Sequence, residues 1–205
     1  MRIVCISDTH GQHGQLRIPE GDLLVCTGDF TRRGRRAEVT DFNDWLGSLP
    51  HRHKVIVAGN HDFLFEQMPD ARSLLSCAIY LQDEACSLHG LRIYGSPWQP
   101  RFFDWAFNAD RGAPLRQIWA QIPIGTDVLL THGPPHGILD TTVRGQSVGC
   151  EELTLAIQRV RPKLHVFGHI HECYGQLVRD GTHYVNASSC NLQYLPIHPP
   201  IVVDL

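Results

Sequence analysis

Five short apolar runs punctuate the chain, and each gives way to polar residues at its carboxyl end. Ile3-Val4-Cys5-Ile6 leads into Asp8 and His10, and Leu23-Leu24-Val25-Cys26 into Asp29. Val55-Ile56-Val57-Ala58 runs into Gly59-Asn60-His61-Asp62, Val128-Leu129-Leu130 into His132, and Leu164-His165-Val166-Phe167 into His169 and His171. Runs of three or four such residues predict buried strands. The intervening segments change period. Val39, Phe42, Leu46 and Leu49 share one face of a helix over Ala37 to Leu49, widened by Trp45 and stopped by Pro50. Phe63 to Gln67 can start a short helix. A longer one over Ala113 to Gln121 has Pro114 in its first turn and turns Leu115, Ile118, Trp119 and Ile122 inward. Cys150, Leu153, Ile157 and Val160 mark a further helix from about Cys150 to Arg161, ended by Pro162. Leu91 to Tyr94, Thr182 to Val185 and Ile201 to Val203 add strands. Strands alternating with helices predict an α/β fold, and hairpin-like spacing near both ends predicts mixed strand directions. No repeat or linker divides the chain, which reads as one domain over residues 1–205.

Composition changes this picture little. The 205 residues are 42% hydrophobic and 19% charged, ordinary for a globular protein with a real core. A formal charge of −3 gives no global footprint for nucleic acid or an anionic membrane, so neither is expected as a partner. The first apolar run is too short for a signal peptide, and no membrane-length segment follows, which places the protein in the cytoplasm. Seven cysteines without a Cys-x-x-Cys pair read as free thiols rather than a disulfide framework.

The polar residues at the strand ends carry the chemistry. In open α/β sheets ligands bind at the carboxyl ends of the strands, where Asp8, His10, Asp29, Asn60, His132, His169 and His171 would gather as oxygen and nitrogen donors without a thiolate. Seven such donors are too many for one octahedral ion that must also admit a substrate, but they suit two ions sharing a carboxylate. The donor set fits Mn²⁺, Fe or Zn²⁺. His13, His51, His53, His89, His136, His165, His183 and His198 lie outside the pattern and read as surface or satisfied core imidazoles.

Two other stretches stand out. Thr31-Arg32-Arg33-Gly34-Arg35-Arg36 is a basic loop just after Asp29; Arg33 could hold a substrate phosphate, although a solvated loop is the plainer reading. Gly95 to Asn108 is a Gly- and Pro-marked loop with five aromatics, of which Trp98 and Phe103 are candidates to stack on a nucleobase. Simple coverage of the sheet is the competing reading.

The ordered blocks Asp-x-His, Gly-Asp, Gly-Asn-His-Asp, a lone His and Gly-His-x-His resemble the calcineurin-like metallophosphoesterase superfamily. Gly28-Asp29-Phe30-Thr31, Phe42-Asn43-Asp44-Trp45-Leu46, Gly95 to Pro100, Thr131 to Pro135 and Asn186-Ala187-Ser188 are most similar to its small metallophosphoesterase-domain subgroup of the brain and fetal-tissue type. That resemblance implies a four-layered α/β/β/α sandwich with mixed sheets. It also implies two divalent ions, Mn²⁺ foremost, one held by Asp8, His10 and His171 and the other by Asn60, His132 and His169, with Asp29 bridging. Water bridging the ions would attack phosphorus in line; His61 would serve as general acid or charge clamp, with Asp62 orienting its ring. The implied activity is a phosphodiesterase acting on a small nucleotide-like diester, cyclic nucleotides included. Alternatives are a phosphomonoesterase or protein phosphatase with the same metals, or a non-catalytic scaffold; the latter predicts missing ligands, and none is missing.

Overall fold

The computed structural model describes residues 1–205, the side chain of Pro69 excepted. Its first sheet consists of β1 (Arg2–Ile6), β2 (Leu23–Thr27), β3 (His53–Val57), a two-residue β4 (Ile79–Tyr80) and the C-terminal β13 (Ile201–Asp204), in the order β13-β1-β2-β3-β4. Only β13 runs antiparallel to its neighbour. The second sheet is built from β5 (Glu84–Leu88), β6 (Leu91–Ser96), β9 (Val128–Thr131), β10 (Leu164–Phe167), β11 (Gly175–Arg179) and β12 (Thr182–Asn186), ordered β11-β12-β10-β9-β6-β5. Its four central strands are parallel, and both outer strands are antiparallel. A small ladder joins β7 (Gln99–Pro100) to β8 (Asn108–Ala109).

The period-two alternation of each strand divides the apolar residues among three cores. Ile3, Cys5, Val25, Val55 and Val57 of the first sheet meet Ile93, Val128, Leu130, Val166 and Val185 of the second. The opposite face of the first sheet, with Val4, Leu24, Cys26 and Ile56, takes Val39, Phe42 and Leu46 of α1 (Arg36–Ser48) and Phe65 of α2 (Phe63–Gln67). The opposite face of the second, with Tyr94, Leu129, Phe167 and Tyr184, takes Leu115 and Trp119 of α3 (Ala113–Ala120) and Leu153, Ile157 and Val160 of α4 (Glu151–Val160). Helix, sheet, sheet, helix is the four-layered arrangement, with mixed sheets, that the resemblance implied. Both central sheets are covered on both faces, which is why their strands read as continuous apolar runs.

The expected strands and helices form with bounds moved by a residue or two. The strands that pattern alone did not reveal are β4, β5, β7, β8 and β11. β5 and β11 lie at the sheet edges, mostly exposed or half-buried, so neither carries a burial stripe. Both belong to tight hairpins. His89-Gly90 and Asp180-Gly181 hold positive φ at both turn residues, 50° and 81° in one and 51° and 82° in the other, the backbone twist that two-residue hairpin loops need. All seven cysteines are free thiols. Among the described residues no helix is long and apolar enough to cross a membrane.

His165 sits in the middle of β10, fully buried on the helix-covered face beside Phe167 and Tyr184. Thr131 Oγ1 donates to the Gly133 carbonyl, so the 2.8 Å contact with His165 Nε2 has the imidazole as donor and leaves Nδ1 without a partner. Burial holds this imidazole neutral and pushes its pKa down to about 3. An unfolded histidine takes a proton near pH 6.5 while the folded one does not, so stability contributed by the neutral form is lost as pH falls from about 6.5 toward about 3. In the metal-free protein, the unfolding free energy should fall with pH over this window more steeply than in His165→Leu, by up to about 1.4 kcal/mol per pH unit. Denaturant titrations at several pH values check this; parallel slopes would mean that His165 is protonated in the fold.

Candidate metal centre

The parallel strands of both sheets point their carboxyl ends to one edge, and the turns that follow bring the polar residues together. The Ser7 to Ser188 bridge and the Gly168 N–H to His132 carbonyl bond, 2.9 Å, tie these turns to one another. Asp8, His10, Asp29 and His169 all hold left-handed backbone, with φ of 50°, 46°, 52° and 68°. Such conformations cost non-glycine residues on the order of 1–3 kcal/mol each and persist where the surroundings impose them. Here they fall in the turns that follow β1, β2 and β10. Glycines allow the close approach. A Cβ on Gly168 would lie 2.0 Å from Asp8 Oδ2, and one on Gly59 would lie 2.4 Å from Asp29 Oδ1.

Asp8, His10, Asp29, Asn60, His132 and His171 are buried. His10 Nε2 lies 3.2 Å from His171 Nε2, and His171 Nε2 lies 3.4 Å from Asp8 Oδ1. On the other side His132 Nε2 is 2.8 Å from Asn60 Oδ1. Asp29 Oδ2 faces both groups, 3.9 Å from His10 Nε2 and 3.5 Å from His132 Nε2, while Asp29 Oδ1 accepts the His61 N–H at 2.7 Å. One carboxylate oxygen is thus held by backbone and the other is free to be shared. Asp8, His10 and His171 form one potential cation-binding group; Asp8, Asp29 and His132 form another; and His10, Asp29 and His61 a third. The ring of His169 lies 5.0 Å from that of His132, beside the second group, and its backbone N–H donates to both oxygens of Asp8.

Tautomers decide what these atoms can hold. His132 Nδ1 meets the Thr27 carbonyl at 2.8 Å and His171 Nδ1 the Asn191 carbonyl at 3.0 Å. A carbonyl only accepts, so both Nδ1 atoms carry the proton, and each neutral ring presents a lone pair at Nε2. His132 Nε2 and Asn60 Oδ1 are then two acceptors at hydrogen-bond distance, and the buried Asn60 Nδ2 has no partner. That arrangement suits a cation or a proton between them. The residues present therefore fit divalent ions: Asp8, His10 and His171 form one donor group, and Asp29 with His132 belongs to another that has Asn60 Oδ1 beside it.

Without metal, protons do this work. Burial opposes charge on His132 and His171, but Asp29 beside the first and Asp8 hydrogen-bonded to the second raise both to about 9. Burial also works against ionisation of the two carboxylates, yet His171 holds Asp8, and His132 holds Asp29, well below the usual range. Burial lowers His10 to about 4 and, with repulsion from His132, His169 to about 3.

Other expected site residues fall differently. His61 lines a cavity of about 440 Å³ over the cluster, with its ring 4.5 Å from Trp105 and 4.8 Å from His10. Its Nδ1 donates to the Arg32 carbonyl at 2.8 Å, so Arg32 and not Asp62 orients the ring. Asp62 is turned away: Oδ1 accepts the Thr31 N–H and hydroxyl at 2.9 and 2.7 Å, and Oδ2 the Gly59 N–H at 2.8 Å. Burial, with Asp29 nearby, raises it to about 7. Its function is to strap the turn after β2 to the turn after β3. Phe103 lines the cavity, joined by Phe102 and Trp105. Trp98 does not, because its indole N–H donates to Asp83 at 2.8 Å and its ring packs edge-on against buried Phe107. The aromatic loop therefore divides, three rings lining the cavity and two covering the sheet. Arg33 also lies outside the cavity. Glu38 collects the backbone N–H groups of Arg32, Arg33 and Arg35 at 3.1, 3.2 and 2.9 Å, which folds the basic loop onto the start of α1 and leaves the Arg33 side chain exposed.

The chain matches the calcineurin-like phosphoesterase family over residues 1–173. It belongs to that family. Its members use a dinuclear divalent metal site. Human metallophosphoesterase domain-containing protein 1 is 48% identical over 230 aligned residues, covering 100% of this chain and 71% of that protein. A Synechococcus protein named probable cyclic nucleotide phosphodiesterase is 25% identical over 80% of this chain and 63% of its own. A solved archaeal phosphodiesterase shares the fold with a TM-score of 0.51 at 14% identity, covering 100% of this chain and 93% of that one.

Sequence reasoning left out Tyr194, whose ring lies 4.6 Å from that of His10 and 5.7 Å from that of His171, and Asn191, whose carbonyl sets the His171 tautomer. Both lie in a segment without regular structure, where no periodicity marks them. Ser188 had a signal in Asn186-Ala187-Ser188: its hydroxyl lies 2.9 Å from Asp8 Oδ2 and 2.8 Å from Asn186 Oδ1.

Because His132 and His171 hold protons below about pH 9 in the metal-free protein, ions must displace them. Affinity for divalent metal should therefore weaken as pH falls from about 9, with about two protons released on full loading near neutrality. Calorimetric titration in buffers of different ionisation enthalpy counts them; a count near zero would contradict these assignments.

Proposed function

We propose that this phosphoesterase is a dinuclear phosphodiesterase acting on a small nucleotide-like diester, cyclic nucleotides among the candidates, with Mn²⁺ as the working metal. The observation that carries this reading is the cavity: about 440 Å³ above the donor cluster, walled on one side by Phe102, Phe103 and Trp105. A bare phosphate leaves most of that space unfilled, whereas an esterified phosphate would bury its substituent against the rings. The names of the archaeal and Synechococcus proteins support the same class. Bound divalent ions supply polarisation of a phosphoryl oxygen and activation of water.

The protein's own groups supply the rest. Asp8, Asp29, Asn60 and the four histidines fix the phosphorus position at the cavity floor. As the water oxygen bonds to phosphorus, the bond to the leaving oxygen breaks and that oxygen needs a proton. His61, with Nδ1 anchored on the Arg32 carbonyl, has Nε2 available on the cavity side to deliver one. Trp105 against the ring limits its rotation.

After Mn²⁺ loading, bis(p-nitrophenyl) phosphate should be hydrolysed faster than p-nitrophenyl phosphate. Equal or faster monoester turnover at saturating metal would overturn the diesterase assignment in favour of a phosphomonoesterase, and inactivity on both with several metals would favour a scaffold. For His61→Ala, both metals should remain bound while turnover falls about 10²- to 10⁴-fold, and less for a diester whose leaving group is already acidic. Metal stoichiometry is the deciding measurement, since His61 also lies within ligand distance of His10 and Asp29; loss of one equivalent would make it a ligand.

A further inference from the structure

His10 borders two hollows. One is the aromatic-walled cavity already described. The other, about 280 Å³, is lined by His10, Gly11, Gln12, Arg32, Glu38 and Asp41. The two differ in their aromatic content. Around the first, Phe102, Phe103, Trp105 and Leu192 present apolar surface beside Arg101, Arg111 and Glu172, with Phe103 68% exposed. Apart from His10 and the glycine, the second offers only an amide, a guanidinium and two carboxylates. Tyr194 helps to separate them: its ring lies edge-on against His10 at 4.6 Å, and its carbonyl accepts a bond from the Gln12 side chain.

The polar hollow keeps free hydrogen-bonding capacity. The Arg32 side chain is exposed, and among the described residues no carboxylate lies within ion-pair distance of it. Asp41 gives one oxygen to His13 Nε2 at 3.1 Å, and its side chain is 73% exposed. A guanidinium donor beside carboxylate acceptors matches neighbouring hydroxyls, each of which donates and accepts. It does not match an aromatic or aliphatic group, which would leave these charges dehydrated without a partner.

We propose that the substrate is an asymmetric phosphodiester: one esterified group aromatic or otherwise apolar, seated against Phe102, Phe103 and Trp105, and the other a polyhydroxylated group such as a glycerol or sugar, recognised by Arg32 and Asp41 in the polar hollow. This rests on the phosphodiesterase reading and refines it to a diester with two separate ester groups, which leaves cyclic nucleotides out. The phosphate has two ester arms, and a metal ligand common to both hollows places the phosphorus between them. Arg32 then has two separate functions: its backbone carbonyl orients His61, and its side chain selects the substrate.

The test compares two diesters with the same leaving group, bis(p-nitrophenyl) phosphate and p-nitrophenyl glyceryl phosphate, on the Mn²⁺-loaded full chain. The parent is expected to favour the glyceryl diester in kcat/KM after correction for the uncatalysed rates. Arg32→Ala and Asp41→Asn should each lower kcat/KM for the glyceryl diester about tenfold more than for the bis-aryl diester, the usual weight of a hydrogen bond to a charged group. Phe103→Ala, which removes a contact that both diesters make through their shared aryl arm, should lower both rates together and leave the ratio unchanged. A change of ratio confined to Arg32→Ala and Asp41→Asn is a readout that a merely structural lesion would not produce, since such a lesion lowers both rates together. If Arg32→Ala and Asp41→Asn reduced both substrates equally, or left both unchanged, the assignment of the polar hollow would be overturned while the diesterase reading stood. If the metal-loaded parent hydrolysed neither diester, both readings would fall.

Discussion

Asp8 and Asp29 are buried carboxylates at the dry end of two adjacent parallel strands, and the rest of the site is arranged around keeping them charged. An isolated buried carboxylate is too costly to persist, so each must meet donors and cations. Asp8 takes the His169 N–H, and the Ser188 hydroxyl lies within hydrogen-bond distance. Asp29 takes the His61 N–H. The remaining oxygens face imidazoles whose tautomers are fixed by backbone carbonyls. With metal absent, protons on His132 and His171 neutralise the cluster; with divalent ions bound, the same lone pairs would be free to serve as ligands. One cation could then replace another without a different fold.

The sandwich exists in a form that makes this convergence possible. Parallel strands align their carboxyl ends, and burying one face of each sheet against the other brings the two aligned edges together. Apolar packing supplies the driving force through three continuous cores. That stability tolerates four left-handed ligand residues at the edge. Asp62 shows how the local cost is shared: it is buried and reaches no substrate space, yet it accepts bonds from both turns that carry Asp29 and Asn60. A carboxylate expected beside a histidine ring instead holds together the two backbone segments that present it.

Substrate space comes from segments with little regular structure. The loop between β7 and β8 places Phe102, Phe103 and Trp105 along the cavity and turns Phe107 toward the core, where Trp98, just before β7, packs on it. The segment after β12 contributes Tyr194 and Asn191. The start of α1, with Glu38 gathering three backbone N–H groups, shapes the basic loop into the wall of a second hollow. These pieces share no ladder or helix face, which separates the two arms of the site chemically while a single ligand, His10, borders both.

By itself, the sequence determined the helices, the central strands and which polar residues follow those strands. Apolar runs and three-four-three spacing register burial directly, because a strand covered on both faces and a helix with one packed face each impose a period on composition. Candidate donors were legible because coordination chemistry admits few side chains and the strand ends number them in order. Only the tertiary structure decided the edge strands β5 and β11, whose single neighbour and exposed faces leave no period to read. It alone decided that Arg32 rather than Asp62 orients His61, that Trp98 packs on Phe107 while Phe103 faces the cavity, and that Tyr194, more than twenty residues beyond the last histidine of the pattern, packs against His10. Contacts of this kind depend on which way a loop side chain turns. That direction is set by partners distant in sequence, Asp83 for Trp98 and Gln12 for the Tyr194 carbonyl, and no local spacing encodes them.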